Sequence, residues 1–251
     1  MLEYVDLATA RTAKGTRIVT SALVASPWSE AVKGMFCVAQ LPALVVARGR
    51  DANDITTWTG VDNVPVVLHH AEPARTNWAA IVGLVARLAP NTLVPTNPRA
   101  RAELLGWLEL VAGEEGIGWN ARLAMIRASH ESNGERGFPL PVAMYLAQRY
   151  GFVAGVDLRS RVGEQLALVR ERLRGGPYFG GERVSALDIY VATFLTLFSV
   201  IDEAACPQMS GALRRAFAST RELFADLVPD ELWTHRTMMF GRHLAWPIRL
   251  S

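Results

Sequence analysis

The sequence predicts two unequal parts, a small α/β domain followed by an all-helical one. Three observations carry this. Two short apolar runs rich in β-branched residues, 17–25 and 43–48, flank a stretch with helical spacing. Residues 89–98 then hold Pro90, Pro95 and Pro98, the best linker signal in the chain. Beyond Pro98 no convincing strand follows, and apolar residues recur three and four apart.

With 251 residues there is room for one large domain or two unequal ones. The longest apolar stretch without a charge, 189–201, is too short for the roughly 20 residues of a membrane span and reads as a buried helix. A net charge of +2, from 26 basic and 24 acidic residues, lacks the footprint of a nucleic acid binder. Residues 1–15 carry Glu3, Asp6, Arg11 and Lys14 and have no apolar signal-peptide core. Two cysteines, Cys37 and Cys206, make no disulfide framework, which fits a reduced cytoplasm.

In order along the chain, residues 1–15 read as an N-terminal extension. Residues 17–25 read as a strand buried on both faces. Ser26 before Pro27 is a common helix start, and Trp28, Val32, Met35, Phe36 and Ala39 continue it as an amphipathic helix over 27–40. Cys37 falls on its inner side, as a buried apolar residue. The run 43–48 gives a second strand, parallel to the first, completing a β-α-β unit. After a polar stretch with Gly49, Asp51, Asn53, Asp54 and Gly60 comes a strand within 63–69, with Pro65 near its start. His69 and His70 sit side by side, so strand alternation points them to opposite faces, and no ligand spacing surrounds them; metal is excluded. Thr76 precedes a second amphipathic helix with Trp78, Ile81, Val82 and Val85.

The helical part begins with Leu104, Leu105, Leu108 and Val111 on a helix that Gly113, Gly116 and Gly118 would kink. Further helices are predicted over 141–150, 158–173, 185–200 and 212–227, with Cys206 in a loop. The segment after Leu227 mixes Arg236, Arg242, His243 and Arg249 with Trp233, Met238, Met239, Phe240 and Trp246, and should pack back on the body.

Three local motifs stand on this layout. Ser26-Pro27-Trp28-Ser29 joins first strand and first helix, Val64-Pro65 opens the third strand, and Tyr178-Phe179-Gly180-Gly181 leads into Ser185-Ala186-Leu187-Asp188. The last is a capping box, structural in meaning and contributing roughly 1–2 kcal/mol. Layout and motifs together resemble the cytosolic glutathione S-transferase superfamily, as an atypical member with a serine-type active site. The resemblance implies a thioredoxin-like α/β domain over 16–89, a linker over 90–98 and an all-helical domain over 99–251. It also implies a cis peptide at Pro65, a homodimer in the cytoplasm, glutathione as co-substrate, a small electrophile as second substrate, and neither nucleic acid nor membrane as partner.

By the same resemblance Ser26 is the catalytic residue that holds the glutathione thiolate, a role compatible with capping, since a hydroxyl that accepts from the backbone can still donate. Glutathione would be bound by Trp28, Ser29, Val64, Pro65, Thr76, Asn77 and Trp78. The second-substrate pocket would take Glu115, Trp119, Asn120 and Arg122, from a stretch equally readable as a kinked helix with Trp119 in the core. Tyr145 and Trp107 are further pocket walls or core residues. One departure stands out: the family usually has Glu/Asp-Ser where this chain has Thr76-Asn77-Trp78. That leaves two other readings open, a transferase-fold binding protein without chemistry and a glutathione-dependent isomerase or dehalogenase.

Overall fold

A computed structural model describes residues 1–49, 52–173 and 175–250. Asp51 of the polar stretch and Ser251 at the end of the predicted helical domain lie outside them. The α/β part contains β1 (Leu2–Tyr4), α1 (Leu7–Thr12), β2 (Thr16–Ser21), α2 (Pro27–Val38), β3 (Ala43–Arg48), α3 (Ala52–Thr59), β4 (Val66–His69) and α4 (Trp78–Leu88). Its sheet has the order β1-β3-β2-β4, with β1 and β2 parallel to β3 and β4 antiparallel to β2.

Both sheet faces are covered, so the first five residues of β2 and the first three of β4 are buried in succession. Ile18, Val45 and Val67 join one core with α2 and α4, while Val19, Val46 and Val66 join a second with Ala10 of α1 and Ile55 of α3. That is the physical origin of the unbroken apolar runs at β2 and β3. The predicted β-α-β unit is present, β2 ending four residues earlier than expected. Residues 1–15, set apart in the sequence as an extension, supply an edge strand and a helix. The polar stretch holds α3, whose Ile55 is buried and whose Trp58 packs on the same core. His69 and His70 do not point to opposite faces: β4 ends at His69, His70 has φ 51°, and their rings meet edge to face at 4.4 Å.

Among the described residues seven α-helices make the second part: α5 (Pro98–Ala112), α6 (Ile117–Glu131), α7 (Leu140–Arg149), α8 (Leu158–Arg172), α9 (Ala186–Phe194), α10 (Gly211–Phe224) and α11 (Asp230–Arg242). The expected kinked helix is two helices. Gly113 caps α5, and Gly116 caps α6 where a Cβ would meet the carbonyl oxygens of Leu110 and Glu109 within 2.8 Å. Every residue of α9 is buried, and a 3₁₀ turn over Leu195–Phe198 continues it. None of the helices among the described residues is long and apolar enough to cross a membrane.

α9 packs on α2, α5 and α11, joining the two parts. The approach of α2 is set by Gly34, where a Cβ would lie 2.8 Å from Ile189 and from Leu244. The Asp188 carboxylate accepts from the backbone N–H of Phe179 and Ser185, from the Ser185 hydroxyl at 2.6 Å and from His235 Nε2 at 2.9 Å. The capping box thus also anchors α11, a helix that the mixed composition of the tail conceals. Cys37 departs from the sequence reading, while Cys206 keeps its predicted loop. Cys37 is exposed, because the buried face of α2 runs through Val32, Met35 and Phe36; Cys206 is in a loop but fully buried, and burial pushes its thiol pKa up.

Candidate functional site

A cleft of about 550 Å³ runs between the α/β part and the helical part. Ser26, Trp28, Val64, Pro65, Thr76, Asn77 and Trp78 line it from the first, and Glu114, Trp119, Arg122, Tyr145 and Tyr150 from the second. Its size suits a small-molecule site.

Ser26 is the N-cap residue of α2, with extended backbone (φ −66°, ψ 122°), and Pro27 occupies the first helical position. The expectation that its hydroxyl caps the helix is not met: the side chain makes no capping hydrogen bond, and only the Ser26 carbonyl is used, accepting from Glu30 N–H at 2.9 Å. Pro27 has no N–H to offer, and the N–H groups of Trp28 and Ser29 have no partner among the described residues. A hydroxyl and two backbone donors therefore stand at the positive end of a helix, the arrangement that favours an anion.

Across the cleft the Val64–Pro65 peptide is cis, as the resemblance implies, and β4 begins only at Val66, so the Val64 backbone is outside the sheet ladder. Thr76, Asn77 and Trp78 meet the cleft at the start of α4. Asn77 is the N-cap, its Oδ1 accepting from Ala80 N–H at 2.8 Å. The segment before it is pinned by Glu72, which accepts from Arg87 and Arg75; those bonds hold its carboxyl down at about 2.

Trp28 ties the two parts together. Its indole N–H donates to the Ala112 carbonyl at 3.0 Å, and its ring meets Phe194 edge to face at 4.8 Å. Gly118 makes room for this: a Cβ there would lie 2.3 Å from Phe194 and 3.0 Å from Trp28. Beside Trp28, Trp119 and Tyr150 pack at 4.5 Å, and Arg122 lies 5.4 Å from the Trp28 ring centroid.

Three candidates fall outside the cleft. Ser29 does not line it, because one residue further along α2 turns it inward; its hydroxyl is buried and has no partner among the described residues. Glu115 takes φ 60° where α5 hands over to α6, and lies 3.8 Å from Arg161, away from the cleft. Asn120 is fully buried and donates to the Glu115 carbonyl at 2.6 Å and to Gln165 at 3.3 Å, holding that junction together. Glu114, adjacent to Glu115, takes the cleft position instead.

Sequence reasoning missed Arg48, Asp62, Arg149 and Tyr190, all of which line the cleft. Tyr190 belongs to the fully buried α9, and its hydroxyl has no partner among the described residues. Its signal was present in Asp188-Ile189-Tyr190, a tyrosine in the second turn of a capped apolar helix. The others lie far apart in the chain and carry none. Trp107 lines a separate 430 Å³ cleft beside Leu93, Phe179 and Ser185. Among the described residues no three His, Cys, Asp or Glu side chains converge as a metal site.

Residues 145–226, from α7 into the turn after α10, match the family model described as glutathione S-transferase, C-terminal domain. No curated protein matches the chain. Solved structures are similar over most of its length. One is a glutathione transferase family member from Pseudomonas fluorescens pf-5 with two glutathione bound, 14% identical, with 91% of this chain and 89% of that chain covered and a TM-score of 0.61. A rice glutathione S-transferase in complex with glutathione is 15% identical, covered 93% in both chains, with a TM-score of 0.59. A glutathione S-transferase from Methylobacterium radiotolerans in complex with glutathione sulfonate is 19% identical, covering 85% of this chain and 94% of its own, with a TM-score of 0.54. At such identities the likeness is one of fold.

Proposed function

We propose, from the premise that this chain has the cytosolic glutathione S-transferase fold and that superfamily's C-terminal domain, that it binds glutathione and transfers its sulfur to a small electrophile. Such an enzyme must favour the thiolate, since a free cysteine thiol has a pKa near 8.5 and only the charged sulfur is a good nucleophile. The observation that carries the reading is the Ser26 hydroxyl, placed in the cleft at the N-terminus of α2 and not spent on the helix. In this reading it donates to the sulfur, and the N–H groups of Trp28 and Ser29 add the field of the helix end. The thiolate attacks an electrophilic carbon between Trp28 and Trp119; the C–S bond forms, any leaving group departs with its electron pair, and the thiol proton passes to solvent.

Val64 presents its backbone to the cysteinyl part of the ligand, and the first N–H groups of α4 face a ligand carboxylate. The acid expected at α4 is absent, and Asn77 Oδ1 is occupied in capping. Among the described residues the carboxylates in the cleft are Asp62, tied to Arg149 at 3.7 Å, and Glu114. A homodimer in the cytoplasm belongs to the same reading; the sedimentation coefficient tests the first and fractionation the second.

Calorimetry with glutathione, together with conjugation of a generic electrophile, tests the function. Ser26→Ala should keep glutathione binding and lose roughly 10²–10³-fold in turnover, the scale for removing one donor to a developing or fixed charge. No binding to the wild type at millimolar glutathione would end the enzyme hypothesis. Binding without turnover would favour the transferase-fold binding protein, the alternative that the occupied Asn77 supports.

A further inference from the structure

Among the described residues three guanidinium groups line the cleft, and two of them are committed to the protein. Arg48 donates to the Asp62 carbonyl and, at 3.3 Å, to Thr56 Oγ1. Arg149 lies 3.7 Å from the Asp62 carboxylate and donates to the Tyr145 hydroxyl at 3.0 Å. Arg122, on α6, has neither an ion pair nor a hydrogen bond among the described residues. Its surroundings are rings: Trp28 at 5.4 Å, Phe138 at 5.6 Å and Tyr150 at 5.6 Å from the guanidinium carbon, and its Nε is buried without a partner.

Guanidinium is always charged, and its planar fork matches a carboxylate through two parallel hydrogen bonds. The rings orient the charge without neutralising it and remove water from beside it, which strengthens its attraction for an anion. Glu114 also lines the cleft but is exposed and makes no bond to Arg122. The faces next to Arg122, those of Trp28, Trp119 and Tyr150, suit a flat ring, since offset stacking adds to plain burial. A free cation beside aromatic walls, in the same cleft as the Ser26 hydroxyl, describes a site for one chemical class.

We infer that Arg122 binds the carboxylate of the second substrate, so that the cleft selects aromatic acids carrying an electrophilic carbon. This deepens the transferase reading and rests on it for the chemistry, though not for the binding of the acid. For 4-chloro-3,5-dinitrobenzoate, the glutathione sulfur bonds to the ring carbon bearing chlorine. The C–Cl bond then breaks, chloride leaves with the electron pair, and the thiol proton goes to solvent.

The test separates the two readings by measuring the acid without glutathione. Calorimetry with 3,5-dinitrobenzoate and with its methyl ester is run on the wild type, Arg122→Gln and Arg122→Lys, and glutathione is titrated in parallel. The wild type should bind the acid at least about tenfold tighter than the ester, as expected for a charge-assisted hydrogen-bonded pair. Arg122→Gln should erase that preference, Arg122→Lys should keep part of it, and glutathione affinity should not change. In conjugation assays kcat/KM for 4-chloro-3,5-dinitrobenzoate should fall in Arg122→Gln while that for its methyl ester holds. Equal affinity of the wild type for acid and ester overturns the inference, and needs no variant to fold. A parallel loss of acid and ester in Arg122→Gln, or a loss of glutathione affinity matching that of the acid, also overturns it, the latter by giving Arg122 to glutathione. Acid preference with no glutathione binding would leave the Arg122 site standing and remove the transferase reading instead.

Discussion

At Gly118 the absence of a side chain decides how close two aromatic rings stand to the cleft. Phe194 and Trp28 occupy the space a Cβ would need. Gly118→Ala should therefore lower unfolding stability by about 1–3 kcal/mol, as overpacking does, and weaken glutathione binding through a displaced Trp28. Chemical denaturation and calorimetry check both, and an unchanged midpoint would mean that Phe194 swings away freely. Single residues also mark the limit of what the chain discloses in one dimension. Ser26, Trp28, Val64 and Pro65 were legible because each sits in a short motif whose turn chemistry is local. Glu115 and Asn120 were misplaced because a break between two helices reverses which of two neighbouring carboxylates faces the cleft. Spacing does not reveal that reversal when a non-glycine residue adopts positive φ.

Among the elements, α4 is held at its start by a titratable clamp. Glu72 holds the loop before it through Arg87 and Arg75, and those bonds depress its carboxyl to about 2. A depressed acid stabilises the fold at pH above its unfolded value, near 4.3, and that contribution fades as pH falls toward about 2. Stability measured across this window should drop more gently in Glu72→Gln than in the wild type, and parallel slopes would refute the clamp. Elements of strong periodicity, such as α2, α8 and α10, were legible to within a few residues. The polar α3 and the charged α11 were not, since their buried faces are narrow stripes, Ile55 with Thr59 and Leu232 with His235 and Met239. Tertiary packing, more than amphipathic pattern, selects helix there.

For the whole molecule, the two ends of the chain close on one another. Tyr4 Oη and Lys33 Nζ both donate to the Arg249 carbonyl, and the Arg249 guanidinium lies 4.1 Å from the Tyr4 ring centroid. Ile248 and Leu250 are buried, and Ile248 N–H donates to the Ala205 carbonyl. Deleting residues 245–251 should cost roughly 3–6 kcal/mol from those two side chains alone. Thermal and denaturant unfolding measure it; a shift of less than about 1 kcal/mol would mean that the tail contributes nothing net. Contacts spanning 245 positions leave no periodic trace, which is why the sequence set residues 1–15 aside and assigned no element to the tail.

The Trp28 hydrogen bond has an optical consequence. An indole whose N–H is bonded to the Ala112 carbonyl of α5, and whose ring forms a wall of the cleft, emits at a wavelength set by both surroundings. Any slippage of α2 against the helical part, and any guest entering beside Ser26, alters its hydration. The protein therefore contains its own fluorophore for cleft occupancy, and subtracting the Trp28→Phe spectrum from that of the wild type isolates it from the other six tryptophans.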